Sequence, residues 1–290
     1  MKIIQSFAQF EEGTPRLHYE DTDKKLLNFY SFLLSYLTLN KYYGKITMYC
    51  NQKAQDALVK YVPYDVVKIV ENKNSTQFWS YYKVDIMKSI RTDFIHVDSD
   101  VFIFDDLFKP FIDDPNCDMI IQNQIPKESN YVNNYVDKFR DVVIENDIID
   151  PKLYDGRCFS CGTVGMRHKH KKGYVELCEK MKKGFIKTKT TDAWFIGMAS
   201  EELALYLYSL KNGFKIHDIL PYEDVLKHTE KGAGNHHNYT HMYLDTKFQP
   251  KYVRLIRYKI LKEFPEAIKY IKVYENEVMN ESVLLEQIMV

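Results

Sequence analysis

Residues 94–104 read Phe-Ile-His-Val-Asp-Ser-Asp-Val-Phe-Ile-Phe. An apolar run meets Asp98-Ser99-Asp100, and a second apolar run follows. On an extended chain two carboxylates at i and i+2 project from one face, roughly 6.6 Å apart along the strand. Charge flanked by such apolar residues is costly unless it is paired or holds a metal. Oxygen ligands favour a hard divalent cation, Mg2+ or Mn2+, and such an ion can hold a diphosphate. The segment therefore points to an enzyme acting on a nucleotide-activated substrate, with Asp98 and Asp100 as candidate metal ligands. Asp pairs also arise in turns and helix caps without any metal. Placement between two apolar runs favours the metal.

Other residues compete for a chemical role. Glu201-Glu202 could supply a general base or hold substrate hydroxyls. The pair would equally suit the N-terminal end of a helix dipole. Lys83 lies among Trp79, Tyr82 and Asp85 on a predicted helix just ahead of the acid pair. It is either a ligand contact or a surface lysine. Cys158-Phe159-Ser160-Cys161, with His168 and His170 downstream, lacks the second close ligand pair of a zinc site. It enters a Gly-rich strand rather than opening a helix, which also argues against a redox pair. His236 and His237 sit in a Gly-flanked stretch and are read as solvated or as closing over a ligand. The run Arg167-His168-Lys169-His170-Lys171-Lys172 is expected to solvate a turn or meet an anionic acceptor.

These residues need a scaffold, and the apolar periodicity supplies one. Lys2–Phe7, 45–50, 64–70, 94–97 and 117–123 read as strands, with 158–166 and 214–216 following. Residues 24–39, 52–61, 77–89, 173–181 and 201–210 have helical spacing. Strands alternating with helices imply an α/β fold, a mainly parallel sheet flanked by helices. Ligands of such sheets bind beyond the carboxyl ends of the strands, where the Asp pair falls. Residues 126–150 are polar and Asn/Asp-rich and read as an insertion near an acceptor. Residues 231–240 read as a loop, and the chain from Lys251 onward as two helices broken near Pro265.

Composition narrows the class. The chain has 290 residues, 45% apolar and 28% charged, with forty basic residues balancing forty acidic ones. That balance argues against a nucleic-acid partner, which a basic excess would announce. Tyr and Phe number 23 and 17; packing in half-buried strands accounts for most of them. The N-terminus turns polar too soon for a signal peptide, and no apolar run approaches the ~20 residues of a membrane span. Five scattered cysteines suggest free thiols in a reducing, cytoplasmic setting. Val253, Leu255, Ile256, Ile260 and Leu261, with Lys and Arg between them, make a basic amphipathic helix. Packing on the catalytic domain is preferred for it over contact with a membrane surface.

The order of these features resembles the GT-A fold glycosyltransferases, in particular the glycogenin and lipopolysaccharide galactosyltransferase group. Asp98-Ser99-Asp100 looks like their metal-binding D-x-D. Phe159-Ser160-Cys161-Gly162-Thr163-Val164-Gly165 resembles the segment that lines their donor sugar, with Cys161 where Ala or Ser is commoner. Glu201-Glu202 resembles the acidic pair that follows. His241-Met242-Tyr243-Leu244-Asp245-Thr246-Lys247 resembles an H-F-x-G-x-x-K segment, with Leu244 at the glycine position.

The resemblance spans residues 1–250 and implies one catalytic domain there, with 251–290 as a helical extension packed on it. It also implies a nucleotide-sugar donor, a UDP-sugar, and a saccharide or other hydroxyl acceptor. His241 would be a third metal ligand beside Asp98 and Asp100, and an imidazole tilts the preference toward Mn2+. Lys247 would hold the diphosphate, and Lys83 would contact the acid pair or donor. Ser99 and Gly162 would line the donor site, and Gln5, Ser6 and Phe7 would lie by the base. Glu201 or Glu202 would deprotonate the acceptor if the reaction inverts. Two other classes remain in view. A nucleotidyltransferase would want a Gly-rich basic loop after the first strand, and Gln5–Gly13 is not basic. A non-catalytic carbohydrate-binding or scaffold protein would not need the acids, His and Lys together.

Overall fold

The computed structural model describes residues 1–10, 22–125, 155–220, 235–236, 238–242 and 250–288. In chain order the strands are β1 (Lys2–Phe7), β2 (Ile46–Cys50), β3 (Val66–Ile69), β4 (Phe94–Val97), β5 (Val101–Ile103), β6 (Met119–Ile125), β7 (Cys158–Met166), β8 (Ile216–Asp218), β9 (Asn235–His236) and β10 (Tyr239–His241). The helices are α1 (Thr22–Tyr43), α2 (Gln52–Ala57), α3 (Tyr81–Ser89), α4 (Lys109–Asp113), α5 (His168–Lys187), α6 (Ala193–Met198), α7 (Ala204–Asn212), α8 (Pro250–Glu263) and α9 (Ile268–Ile288). Pairs β1–β4, β2–β3 and β6–β8 are parallel, while β7 runs against β4 and β6. The fold is α/β, with a mainly parallel, Rossmann-like sheet and C-terminal helices, as the resemblance implies. Among the described residues, no helix is long and apolar enough to cross a membrane.

The chain divides into two compact units. The first comprises Met1–Ser6, Asn72–Val97 and Leu107–Ala233; the second comprises Phe7–Glu71, Asp98–Asp106 and Gly234–Val290. In the first, strands follow the order β1-β4-β7-β6-β8. All nine residues of β7 are buried, as befits a central strand covered on both faces. At Gly165 the neighbours come so close that a Cβ would lie 2.4 Å from Ile120 Cγ2 and 2.8 Å from Ile95 Cγ1. Only hydrogen fits between β4 and β6 there.

The second unit is organised around α1. Leu27, Phe29, Tyr30, Phe32, Leu33, Leu34, Tyr36 and Leu39 are all buried, so the helix is enclosed around most of its girth. Helices α8 and α9 and strand β5 pack on it. Phe29 stacks on Tyr274 at 4.3 Å, and the Tyr30 hydroxyl donates to Glu275 Oε1 at 2.5 Å. Arg257 Nε donates to the same carboxylate oxygen at 2.7 Å. Gly44 takes φ +68° to end α1, a conformation other L-residues adopt at a cost.

Several expectations need correction. Residues 52–61 are not one helix: α2 ends at Ala57, and a 3-10 turn, Val59–Tyr61, follows. Residues 77–89 likewise split into a 3-10 turn, Thr76–Phe78, and α3. The stretch 231–240 is not simply a loop, since β9 and β10 pair antiparallel within it. Glu201 and Glu202 do not open a helix. They lie in a π-helical turn, Ala199–Leu203, between α6 and α7. Carbonyls there are claimed from outside the helix: Tyr174 OH and Cys178 Sγ donate to Ser200 O, and Cys161 Sγ donates to Glu201 O.

The basic run does not solvate a turn. It begins α5, and Arg167 is buried. Its guanidinium donates to Cys117 O, Phe111 O, Asp114 O and Asp93 Oδ2 over the face of Phe111. Lys171 Nζ donates to Lys88 O and Ile90 O. Arginine's planar fork can meet four acceptors at once, which a sequence count of positive charge does not anticipate. The expected acceptor-side insertion, 126–150, lies outside the described residues.

Candidate metal centre

Strand β4 ends at Val97, and the chain turns at once. Val101 N donates to Asp98 O at 3.1 Å, so Asp98-Ser99-Asp100 forms a tight turn rather than the extended strand expected from the apolar runs. The turn returns the chain into β5. Three side chains of α1 hold β5 in place. Ser35 Oγ donates to Val101 O at 2.6 Å and to Asp98 O at 3.4 Å. Thr38 Oγ1 accepts from Ile103 N at 3.3 Å, and Tyr42 OH donates to Phe104 O at 2.6 Å. Positions 35, 38 and 42 are three and four apart, so they share one face of the helix. Sequence reading passed over them. Their signal was a Ser/Thr/Tyr stripe at helical spacing inside an otherwise apolar helix.

Strand β10 then brings in the histidine. Its antiparallel register sets His241 opposite Val101 and Tyr239 opposite Ile103. Met242 N donates to Asp100 O at 3.0 Å, extending the pairing into the turn. Asn238 supports the other end: its carbonyl accepts from Phe104 N at 2.9 Å, and its Nδ2 donates to Asp105 Oδ2 at 3.1 Å. The outcome is a cluster of Asp98, Asp100 and His241, each offering one ligand atom, all within 4.8 Å of one another. His241 Nε2 lies 3.5 Å from Asp100 Oδ1, with side chains only 9% and 13% exposed. It is the one such group among the described residues.

The donor set fits a metal ion. Two carboxylates and an imidazole at this spacing can close on a cation with bonds of about 2.1 Å. A nitrogen donor beside two oxygens suits Mn2+ better than Mg2+. Three protein ligands leave positions for a substrate's oxygens. Both hairpin and turn are fixed by backbone hydrogen bonds, so the ligands are held before any ion arrives.

The first unit assembles a second polar cluster. Lys83 Nζ, on α3, donates to Glu201 Oε2 at 2.9 Å, with side chains 16% and 13% exposed. Helix α6, which leads into the π turn that carries Glu201 and Glu202, is braced by Trp79. Its indole Nε1 donates to Ala193 O at 3.2 Å, and a Cβ on Gly197 would lie 2.5 Å from the indole ring. Behind the turn, Cys161 and Cys158 are buried in β7. Burial, followed by the Glu202 carboxylate, pushes both thiols well above the usual range. All five cysteines are free and buried, and the Cys158/Cys161 pair does not assemble with His168 or His170 into a metal-binding group.

Of the remaining residues, Gln5 is fully buried in β1. Ser6 Oγ lies 2.8 Å from His96 Nε2 in the first unit. Phe7 packs edge-on against Phe32 at 5.0 Å in the second. Gly162 is buried within β7, and Ser99 sits at the head of the turn between the acids. Lys247 and His237 lie outside the described residues, and β9 places His236 opposite Tyr239.

Among solved structures, the chain is similar to mouse xyloside xylosyltransferase 1 in its apo form, at 13% sequence identity and a TM-score of 0.44. The match covers 84% of this chain and 98% of that one. No curated protein matches it. A family model does match, over residues 1–274, and the chain belongs to that family, described as a family of unknown function (DUF6734).

Proposed function

We propose that this protein is a metal-dependent glycosyltransferase that moves a sugar from a nucleotide-diphosphate donor, a UDP-sugar, to an acceptor hydroxyl. The observation that carries the reading is the convergence of Asp98 and Asp100, from one turn, and His241, from β10, into one cluster. The D-x-D, the downstream His and Lys247, and the order of elements support the same class. A cation held there supplies Lewis-acid stabilisation of the charge that builds on a departing diphosphate. Asp98 and Asp100 would bind and orient it, and His241 would complete the set with an imidazole nitrogen. By the resemblance, Lys247 would supply positive charge to the diphosphate, and Ser99 and Gly162 would be donor-site residues. Gln5, Ser6 and Phe7 border the base.

Glu201 and Glu202 are the candidates to accept the acceptor's proton if the sugar inverts. Lys83 Nζ donates to Glu201 Oε2 at 2.9 Å and so orients that carboxylate. Residues 1–250 act as the catalytic domain, with 251–290 packed on it, and five free thiols suit a cytoplasmic setting.

The test is hydrolysis of a panel of nucleotide sugars with and without Mn2+, in the wild type and in Asp100→Ala. Metal-dependent release of UDP by the wild type, lost in the variant, is the expected result. Unchanged turnover in the variant would refute the assignment. Release of pyrophosphate from a nucleoside triphosphate would move the protein to the nucleotidyltransferases.

A further inference from the structure

Helix α8 turns one face inward. Val253, Ile256 and Ile260 are 8%, 4% and 0% exposed, and the helix packs on α1. The opposite face carries Lys251, Arg254, Leu255, Tyr258 and Lys262, spaced by three and four residues so that they form one stripe. Leu255 and Tyr258 are 57% and 62% exposed. Arg257 is engaged with Glu275, and Lys259 pairs with Glu263 and sits over the Phe104 ring at 4.5 Å. The outward stripe therefore holds three cations and no acid. In a chain whose charges sum to zero, that is a local concentration of positive charge. On α9 the exposed charges are mixed, with Lys269 and Lys272 alongside Glu277.

We propose that the outward face of α8 docks on an anionic lipid membrane. Lone exposed apolar residues need no special account. Here a leucine and a tyrosine stand a turn apart within a cationic stripe. A soluble polyanion would reward the lysines and the arginine but gain little from Leu255 and Tyr258. A lipid surface rewards both, since headgroups draw the cations and the interface accepts the apolar side chains. Tyrosine suits that depth because its ring is apolar and its hydroxyl stays wet. The proposal needs no turnover and stands apart from the sugar-transfer reading.

Sedimentation of the full chain with vesicles tests it. Phosphatidylcholine vesicles containing phosphatidylglycerol should carry the protein down, pure phosphatidylcholine should not, and added salt should release it. Arg254→Glu/Lys262→Glu should lower partitioning roughly tenfold or more, and Leu255→Ser/Tyr258→Ser roughly fivefold. All four side chains are exposed, so thermal melting should remain that of the wild type. The control Lys269→Glu/Lys272→Glu on α9 should bind vesicles as the wild type does. Absence of binding to the anionic vesicles would overturn the proposal, as would equal loss in the α9 control. If the serine pair binds normally while heparin competes, the surface serves a soluble polyanion and the membrane assignment fails.

Discussion

Asp100→Asn is predicted to have opposite effects on the stability of the metal-free protein and on its response to metal. Asp98 and Asp100 place carboxylate oxygens within 4.8 Å of each other. At effective dielectric constants of 20 to 80, two unit charges at that distance repel by about 1–3.5 kcal/mol. Both residues are partly open to solvent, so the lower half of that range applies, about 1–2 kcal/mol. The amide keeps the shape of the side chain, and the main-chain bond from Met242 N to Asp100 O is untouched.

The metal-free variant should therefore melt about 2–6 °C above the wild type. Mn2+ at a hundred times its dissociation constant should stabilise the wild type by about 2.7 kcal/mol and the variant by far less. Differential scanning fluorimetry with and without Mn2+ reads both. A variant that melts lower than the wild type without metal, yet shows the same Mn2+ shift, would refute the reasoning at both steps.

Lys83 and Glu201 should couple: each single alanine substitution should cost about 1–3 kcal/mol, because the partner is left charged and nearly buried. The double variant should cost less than the sum in a denaturant-melt cycle, and strict additivity would show that the pair contributes nothing. Asp118 supplies an acid-sensitive contact. Burial raises its carboxyl, but hydrogen bonds from His170 and Lys169 outweigh that and hold it at about 2. A carboxyl depressed in the folded state adds stability above its unfolded value near 4, and that stability is lost as pH falls from about 4 toward 2. Asp118→Asn should flatten the stability profile in that window, as followed by circular dichroism. The five thiols are buried, and burial pushes Cys50 and Cys178 up to about 12. An aromatic disulfide reagent at pH 8 should label the native protein slowly and all five thiols at once in denaturant; rapid native labelling would contradict this. Ser35→Ala should cost about 1–2 kcal/mol and weaken Mn2+ binding in calorimetry. Unchanged affinity would remove α1 from the support of the acid turn.

Much of the architecture was legible in the chain because burial imposes a period. The spacing of Leu27, Leu33 and Leu34 marked α1, the short apolar runs marked β2 and β4, and Pro265 marked the break between α8 and α9. The acid pair stood out for the same reason, since two carboxylates between apolar runs are conspicuous against that pattern. What period cannot show is where a carbonyl finds its partner. Tyr174, Cys178 and Cys161 claim the carbonyls of Ser200 and Glu201, and α6 and α7 are joined by a π turn where the spacing suggested the start of a helix. Four acceptors around Arg167 turned an apparent solvated run into a buried clasp.

By itself the sequence determined that this chain folds as an α/β protein and that its first chemistry-bearing residues are Asp98 and Asp100, because local patterning records which side chains must avoid water. Only tertiary structure decided that the aspartates share a tight turn, and that the register of β10 on β5 sets His241 beside them. That register depends on main-chain hydrogen bonds between strands far apart in the chain. Such bonds carry no side-chain signature, so no local pattern could have announced them.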